Sequence, residues 1–376
     1  MEDFFIGKDK IECVKHYKYL GVVFTNTGKF TEARKKLYDK ALKACFKLYR
    51  DIKSTSPSIK SFLHIFDHTI KPILLYGCEN WGMINLTDKR KLSSLFEIFK
   101  DWEHEKLNVK FCKYILGVSR QSTNVAVISE IGRLPFYCDI ILQMFMYWHR
   151  LERSPSDLMK SAYNEYKTNK HLEGKSWYSN ILFFSKKLEI DLSICKAYTK
   201  GKFKMLLRKR IRDNFVTHWN KIRQSYEQEH GKLHTYFTFK SSFQYEQYLN
   251  IKNKDKRKTL AKFRISNHNL RIETGRHERI KLSQGNKQIL PRCDRVCQYC
   301  ALGLVEDEMH FLFVCPLYDK IRKIFCKTMF DNYPNVGYLD ISSLFIWVMN
   351  NEDIKFLYLL TDFIENNYLV RKTQSN

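Results

Sequence analysis

Three cysteines and one histidine lie close together near the end of the sequence, with the spacing Cys297-x2-Cys300-x9-His310-x4-Cys315. Thiolate and imidazole groups are preferred ligands of Zn²⁺, and two cysteines separated by two residues can direct both thiolates to one ion. Four protein ligands leave no coordination position for an activated water. The spacing therefore predicts one structural Zn²⁺, whose binding would stabilise the folded segment by roughly 10 kcal/mol or more.

Two alternatives for this cluster remain open at the level of sequence. Cys293 could replace one of the four ligands, because it extends the pattern to Cys293-x3-Cys297-x2-Cys300. The cysteines could also be buried thiols beside an incidental histidine, with no metal bound. Buried cysteine is common in protein interiors, so this second alternative needs no special arrangement.

The residues around the cluster favour a metal site. The acidic residues 306–308 precede His310, where they would occupy the first turn of a helix and interact favourably with its dipole. Pro316 disfavours helical angles at Cys315 and suits the first position of the following helix. The pattern predicts a compact clip in which a short helix carries His310.

Basic residues dominate the composition. Lys and Arg outnumber Asp and Glu by 65 to 40 over 376 residues, which gives a formal net charge of +25. Residues 200–292 alone hold 24 Lys or Arg against 7 Asp or Glu. A charge excess of this kind indicates a polyanionic partner, and we expect RNA, an RNA/DNA hybrid or DNA. A basic surface that serves only solubility is the alternative.

Two groups of basic residues are candidates for nucleic-acid contacts. One lies on an amphipathic helix predicted at 200–219 and the other lies before the cluster; together they are Lys202, Lys204, Arg208, Lys209, Arg210, Arg212, Arg264, Arg271, Arg276 and Arg279. Such contacts would go mainly to phosphates, so they would set affinity and salt dependence with little sequence preference. Tyr299, Phe311 and Phe313 could stack on bases, although two of these three are expected in the core.

Other classes of protein find little support in the sequence. The phosphate-binding patterns GxGxxG and GxxxxGK are absent, so nucleotide hydrolysis and a small-molecule substrate are not expected. No run of roughly 18 apolar residues and no signal peptide are recognised, which argues against a membrane span and secretion. Eleven cysteines are too sparse for a disulfide scaffold, so we expect reduced thiols and an intracellular location, nuclear or cytoplasmic.

Hydrophobic periodicity predicts a mainly α protein. A strand or hairpin is expected at 11–25, followed by helices from Phe30, from residue 59 to Pro72, over 88–116, over 123–131 and over 136–151. The apolar stretch LLYGCENWG at 74–82 indicates a tightly packed join between helices. The polar sequence RSPSD at 153–157 is the best domain boundary.

Five motifs are similar in type and order to a known family. They are YKYLGVVFTNTGKFTEA (17–33), IKPILLYGCENWG (70–82), KFCKYILGVSRQSTNVAVISEIGRLPF (110–136), FRISNHNLRIETGRH (263–277) and CQYCALGLVEDEMHFLFVCPLYDKIR (297–322). In these motifs, which together extend over nearly the whole chain, the sequence resembles the C-terminal part of the reverse transcriptases of animal non-LTR (LINE-like) retrotransposons.

The resemblance implies a domain order. It places a residual strand or hairpin of the palm–thumb junction at 1–29 and a thumb-like helical bundle at 30–155. A basic helical linker follows at 156–292, and a CCHC zinc knuckle with C-terminal helices occupies 293–376. In the family the first strand joins the sheet of the palm, so residues 11–25 should be mobile or should cover their exposed edge with a local hairpin.

The resemblance also bears on activity. Polymerase chemistry needs closely placed aspartates that hold two Mg²⁺ ions, and the sequence contains no adjacent pair of aspartates. We therefore expect a non-catalytic protein that binds nucleic acid, either a remnant of such a reverse transcriptase or a domesticated copy. One alternative is a fragment of an active RNA-directed DNA polymerase that needs the missing palm. Another is a protein–protein interaction module that zinc stabilises.

Overall fold

The computed structural model describes residues 4–52, 57–86, 94–168, 176–228, 231–281 and 287–375. These residues are mainly helical, which confirms the predicted class. The helices in chain order are α1 (Thr31–Ile52), α2 (Ile59–Thr69), α3 (Lys71–Leu74), α4 (Cys78–Trp81), α5 (Leu95–Phe99), α6 (Glu103–Leu116), α7 (Asn124–Ile131), α8 (Tyr137–Glu152), α9 (Asp157–Thr168), α10 (Trp177–Lys187), α11 (Leu192–Cys195), α12 (Lys200–Gln228), α13 (His234–Phe239), α14 (Lys254–Arg264), α15 (Arg271–Thr274), α16 (Asp319–Asn332), α17 (Ile341–Asn350) and α18 (Ile354–Ser375).

Shorter helical turns connect several of these helices. A π-helix spans His310–Val314, and 3₁₀ helices span Gln247–Asn250, Gly275–His277, Arg292–Asp294, Pro316–Tyr318 and Pro334–Tyr338. The helix predicted over 88–116 is wrong as a single element: its described part forms α5 and α6 with a turn between them, and residues 88–93 lie outside the described residues. Helix α5 begins after Ser94, because the Ser94 hydroxyl accepts a hydrogen bond from the Glu97 N–H and so caps the first turn.

The described strands form three antiparallel hairpins. They are β1 (Phe4–Ile6) with β2 (Asp9–Ile11), β3 (His16–Tyr19) with β4 (Val22–Thr25), and β5 (Arg279–Lys281) with β6 (Lys287–Ile289). The short N-terminal hairpins agree with the strand or hairpin predicted at 11–25. The third hairpin was missed, because it lies in a segment predicted as a helical linker.

The turn between β3 and β4 requires left-handed backbone angles. Leu20 has φ 44° and Gly21 has φ 85°, a conformation that glycine adopts readily and leucine does not. The Tyr76 hydroxyl donates a hydrogen bond of 2.7 Å to the Leu20 carbonyl, and a Cβ at Gly21 would lie 3.1 Å from the Tyr76 ring. The KYLG motif is thus a tight turn held by the tyrosine of the LLYG motif.

The chain divides into two compact units. Unit 1 comprises Met1–Asn108 and Pro135–Phe215, and unit 2 comprises Val109–Leu134 and Val216–Asn376. The predicted boundary at 153–157 lies between α8 and α9, both in unit 1. The four-segment domain order stays a prediction.

Unit 1 is built around the apolar helix α8. This helix packs against α4, α5, α9 and α10, and its Phe145 and Trp148 are fully buried. The join at 74–82 is as tight as predicted, because Leu74, Cys78 and Trp81 are fully buried and a Cβ at Gly82 would lie 2.5 Å from Ile140 Cγ2. Pro72 lies in the first turn of α3, where its missing N–H needs no acceptor.

A buried charge network connects the helices of unit 2. Arg264 in α14 is bonded by its Nε to Glu130 of α7 at 2.8 Å and by an Nη to Glu246 at 2.9 Å. The Tyr236 hydroxyl of α13 donates to Glu130 at 3.1 Å, and Lys240 pairs with Glu246. Burial alone would raise the pKa of Glu130, but the charges of Arg264 and Lys240 outweigh burial and lower it. The Glu130 carboxylate is therefore ionised and paired.

This network leads to a prediction about stability. Replacing Arg264 with Met should lower the free energy of unfolding by about 3–5 kcal/mol, because Glu130 would remain buried without its partner. Lys256→Met in the same helix removes a more exposed ion pair with Asp362 and should cost less than ~1 kcal/mol. Urea unfolding followed by circular dichroism measures both values. Equal loss of unfolding free energy in the two variants would show that the buried network stabilises the fold no more than the exposed ion pair does.

Candidate metal centre and basic surfaces

The first half of the cysteine and histidine cluster lies on a short hairpin-like loop in unit 2. Val296 and Val305 form an antiparallel bridge, and the Cys297 N–H donates to the Leu304 carbonyl at 2.9 Å. The chain reverses at Gly303, which has φ 65°. This loop fixes Cys297 and holds Cys300 at its tip.

The second half lies on the π-helix His310–Val314. Asp307 Oδ1 accepts the His310 N–H at 2.9 Å at the start of this turn, and the Cys315 N–H donates to the His310 carbonyl at 2.8 Å at its end. In an α-helix, residues five apart point roughly 140° away from each other, whereas the wider π turn brings them to the same side. The π turn therefore allows His310 and Cys315 to face one point.

The cluster has the geometry of a metal site. One ligand atom from each of Cys297, Cys300, His310 and Cys315 lies within 4.8 Å of all the others, and these residues could hold a metal ion. The Sγ atoms of Cys297 and Cys315 are 3.9 Å apart, too far for a disulfide, and Cys300 Sγ lies 3.6 Å from His310 Nε2. Within the described ranges this is the one group of metal-ligating side chains with these properties.

The burial of the four side chains suits a closed site. Cys297, His310 and Cys315 are buried, and Cys300 is half-buried. Burial raises the pKa of the Cys297 and Cys315 thiols, so a divalent cation would displace protons when it binds. The alternative with Cys293 is wrong, because this cysteine is exposed and lies outside the group.

The predicted role of the acidic residues at 306–308 is only partly correct. Asp307 caps the turn that carries His310, as expected, but Glu306 is a buried ion-pair partner. Its carboxylate accepts hydrogen bonds from both Nη atoms of Arg371 in α18 and from the Arg271 N–H at 2.7 Å. Cys297 Sγ lies 3.8 Å from Glu306 Oε1. Glu306 therefore joins the cysteine loop to α15 and α18.

Glu308 has a second set of buried partners. Its Oε1 accepts hydrogen bonds from the Ser266 hydroxyl at 2.6 Å and from His268 Nε2 at 2.9 Å. Burial alone would raise the pKa of Glu308, but the hydrogen bond and charge of His268 lower it to about 2. Sequence reasoning missed Ser266 and His268, although both belong to the motif FRISNHNLRIETGRH.

The predicted basic helix is present as α12. Phe203, Leu207, Ile211 and Phe215 are buried at steps of four residues, as the apolar pattern predicted. The basic candidates on its other faces are exposed except for Arg210, which is half-buried and 3.4 Å from Glu189; the exposed ones are Lys202, Lys204, Arg208, Lys209 and Arg212. Lys202 Nζ also lies 4.1 Å from the centre of the Tyr198 ring. The structure thus brings five candidate cations together on one helix.

Most of the basic candidates before the cluster are paired with carboxylates of the protein itself. Arg264 is wrong as a nucleic-acid contact, because only 3% of it is exposed and two carboxylates bind its guanidinium. Arg271 pairs through both Nη atoms with Glu278, and Arg276 Nε lies 2.8 Å from Glu273. Arg279 in β5 is exposed. Sequence counts of charge could not distinguish these internal partners from free surface charge.

The aromatic candidates of the cluster lie mostly against protein. Phe311 is fully buried, with its ring centre 4.9 Å from those of Tyr318 and Tyr368. Phe313 and Tyr299 are half-buried, and the Arg371 guanidinium lies 4.4 Å from the centre of the Tyr299 ring. Tyr299 therefore already has one cation on its face.

Comparisons with protein-family models, with curated proteins and with solved structures found no match. In the part of the chain that the structure describes, none of the helices combines the length and apolar content needed to cross a bilayer. The function is therefore inferred from the chemistry and positions of the side chains.

The contact between Glu306 and Arg371 gives a second prediction. Replacing Arg371 with Met should destabilise unit 2 by about 3–5 kcal/mol, because the buried Glu306 carboxylate would be left without its guanidinium. Lys372→Met, at the next and exposed position, is the matched control and should change stability by less than ~1 kcal/mol. Hydrogen exchange of residues 295–315 measures the effect. Unchanged protection in Arg371→Met would contradict the anchoring role of Glu306.

Proposed function

We propose that the chain is a non-catalytic nucleic-acid-binding protein in which one structural Zn²⁺ holds the segment 297–315. The observation that supports the zinc is the separation of the ligand atoms. A tetrahedron with Zn–S of about 2.3 Å and Zn–N of about 2.0 Å has edges of about 3.8 Å between sulfurs and about 3.5 Å between sulfur and nitrogen. The sulfurs of Cys297 and Cys315 are 3.9 Å apart, Cys300 Sγ is 3.6 Å from His310 Nε2, and all four ligand atoms lie within 4.8 Å of one another.

The proposed zinc would have a structural role. All four positions of a tetrahedron would be occupied by Cys297, Cys300, His310 and Cys315, so no position would remain for a reacting water. Glu306 orients the segment through Arg371, and Asp307 fixes the backbone of His310. The ion would therefore join the cysteine loop to the π turn, while the surrounding carboxylates attach both to the helices of unit 2.

The single observation that carries nucleic-acid binding is the cationic surface of α12. Its exposed side chains Lys204, Arg208 and Arg212 recur at steps of four residues, so they form one row along the helix. Lys202 and Lys209 lie together on the side of the helix beyond this row. The buried apolar residues Phe203, Leu207 and Ile211 each directly precede a member of the row, so the side that they fix in the core lies about 100° from it. A rigid row of cations can contact successive phosphates, whatever the base sequence.

The proposed partner is RNA, an RNA/DNA hybrid or DNA. The five ordered motifs support the further proposal that the chain is related to the thumb, linker and zinc-knuckle part of a non-LTR retrotransposon reverse transcriptase. Phosphate contacts on α12 need no catalytic group, so binding and not turnover is the proposed role. Extension of an annealed primer by the purified chain would contradict this assignment.

Zinc binding is tested with a pair of cysteine variants. The wild-type chain should contain one zinc per molecule by elemental analysis. Cys300→Ser should release it and raise hydrogen exchange mainly in the last ~80 residues, because the metal supplies folding energy there. Cys293→Ser is the control and should keep the metal, since Cys293 lies outside the cluster. A metal-free wild-type chain with a protected 297–315 segment would disprove the zinc.

Nucleic-acid binding is tested with charge-matched triple variants. Arg208→Gln/Lys209→Gln/Arg212→Gln should weaken binding to RNA at least tenfold at low salt. It should also reduce the slope of log affinity against log salt by roughly 0.7–0.9 for each phosphate that is no longer neutralised. Lys320→Gln/Lys323→Gln/Lys327→Gln removes the same charge from exposed positions of α16. Equal weakening in both variants would indicate that net charge, and not α12, determines binding.

A further inference from the structure

Unit 1 contains an open cleft that neither the metal cluster nor the basic row of α12 explains. Its volume is about 810 Å³, within the range of about 300–1,000 Å³ that is typical of small-molecule sites. It is lined by one face of α8, the segment that follows α8, the start of α9, the first turns of α12 and Glu79 of α4. All of these residues belong to unit 1.

Cations dominate the polar side of this cleft. Arg150, Arg153, Lys200 and Lys204 line it, against the single carboxylate of Glu79. None of the four cations forms an ion pair with a carboxylate among residues that the structure describes. Lys200 and Lys204 are one turn apart on α12, so both side chains lie on the same side of that helix. The cleft therefore carries positive charge that its own walls do not neutralise.

The position of Arg153 is fixed by the protein. Its Nε and one Nη donate to the Lys196 carbonyl at 3.3 and 2.9 Å, and the same Nη donates to the Tyr198 carbonyl at 2.6 Å. His149 Nε2 lies 2.9 Å from the same Tyr198 carbonyl. Carbonyl acceptors orient the guanidinium without cancelling its charge. The segment before α12 is thereby held against the end of α8, which keeps the cationic wall in place.

The other wall of the cleft is apolar and aromatic. Met146 and Tyr147 on α8 are half-buried, and Met159 on α9 is 39% exposed. The Arg150 guanidinium lies 4.8 Å from the centre of the Tyr147 ring, and the Trp177 ring packs edge-on against Tyr147 at 5.5 Å. A planar aromatic ring with a cation beside it, next to two thioether side chains, is a surface on which a flat heterocycle can stack.

We propose that this cleft binds a nucleoside phosphate, with the phosphate against Arg150, Lys200 and Lys204 and the base against Met146, Tyr147 and Met159. A dianionic phosphate matches several unpaired cations better than a single carboxylate does, and a base matches the apolar wall. The same chemistry is offered by a free mononucleotide and by the phosphorylated end of a single strand. The proposal does not depend on zinc, and of the basic row of α12 it uses Lys204 but neither Arg208 nor Arg212.

The test uses the full-length chain with ¹³C-methyl-labelled methionine. Resonances of Met146 and Met159, assigned through Met146→Leu and Met159→Leu, should shift when AMP is added. Adenosine and inorganic phosphate should each produce the shifts only at concentrations at least tenfold higher, because each lacks half of the ligand. Equal response to phosphate and AMP, or no response to AMP, would overturn the proposal.

Paired variants separate this site from the proposed nucleic-acid surface. Arg150→Gln/Lys200→Gln should weaken AMP binding at least tenfold, whereas Arg208→Gln/Lys209→Gln on the outer part of α12 should leave it unchanged. A tetranucleotide with a 5′-phosphate then distinguishes the two sources. Shifts with the tetranucleotide, in competition with AMP, would identify a strand end, and shifts with AMP alone would identify a free nucleotide. Equal weakening of AMP binding in both double variants would refute a defined cleft site.

Discussion

The arrangement of the cysteine and histidine cluster depends on the contacts that the buried Glu306 carboxylate makes. This carboxylate lies next to the sulfur of Cys297 and binds the Arg371 guanidinium of α18 and the N–H of Arg271 at the start of α15. Segments that are far apart in sequence are thereby brought to one point. A carboxylate that is 1% exposed is stable only when its partners are in place, so the cluster and the helices around it must form together.

Internal charge is a general feature of unit 2. Glu130, Glu306 and Glu308 are all buried, and each is bonded to a cation or histidine contributed by a distant part of the chain. Removing one member of such a pair is costly, so the pairs specify which segments meet. Some of the acidic residues of this basic protein therefore lie in its interior, where they are bonded to a cation or histidine.

Much of the fold could be predicted from the sequence, because local patterns determine it. The four-residue repeat of buried apolar side chains in α12 and the break at Pro72 depend on residues close in sequence. The turn before β4, by contrast, is held by Tyr76 from 56 positions further along the chain. The members of the cysteine and histidine cluster could also be predicted, since their spacing restricts which thiolates can meet, although the spacing left Cys293 as an alternative member. The β5–β6 hairpin, by contrast, consists of three-residue strands that give no clear alternation.

The partners of individual charges could not be predicted. Arg264 and Arg208 have the same chemistry and similar neighbours in sequence, yet one is buried between two glutamates and the other is exposed. That difference depends on residues more than a hundred positions away, such as Glu130. The cleft of unit 1 could not be predicted from the sequence either, because its walls come from four separate helices and the segment after α8.

The π turn between His310 and Cys315 has a consequence for how this segment tolerates changes in length. Residues four apart share a face in an ordinary α-helix, and residues five apart share a face here because the turn is one residue wider. Deleting a single residue between the two ligands would relax the backbone to an α-helical turn while both side chains still pointed the same way. Shortening by one residue at this place is thus a change in spacing that the cluster could absorb.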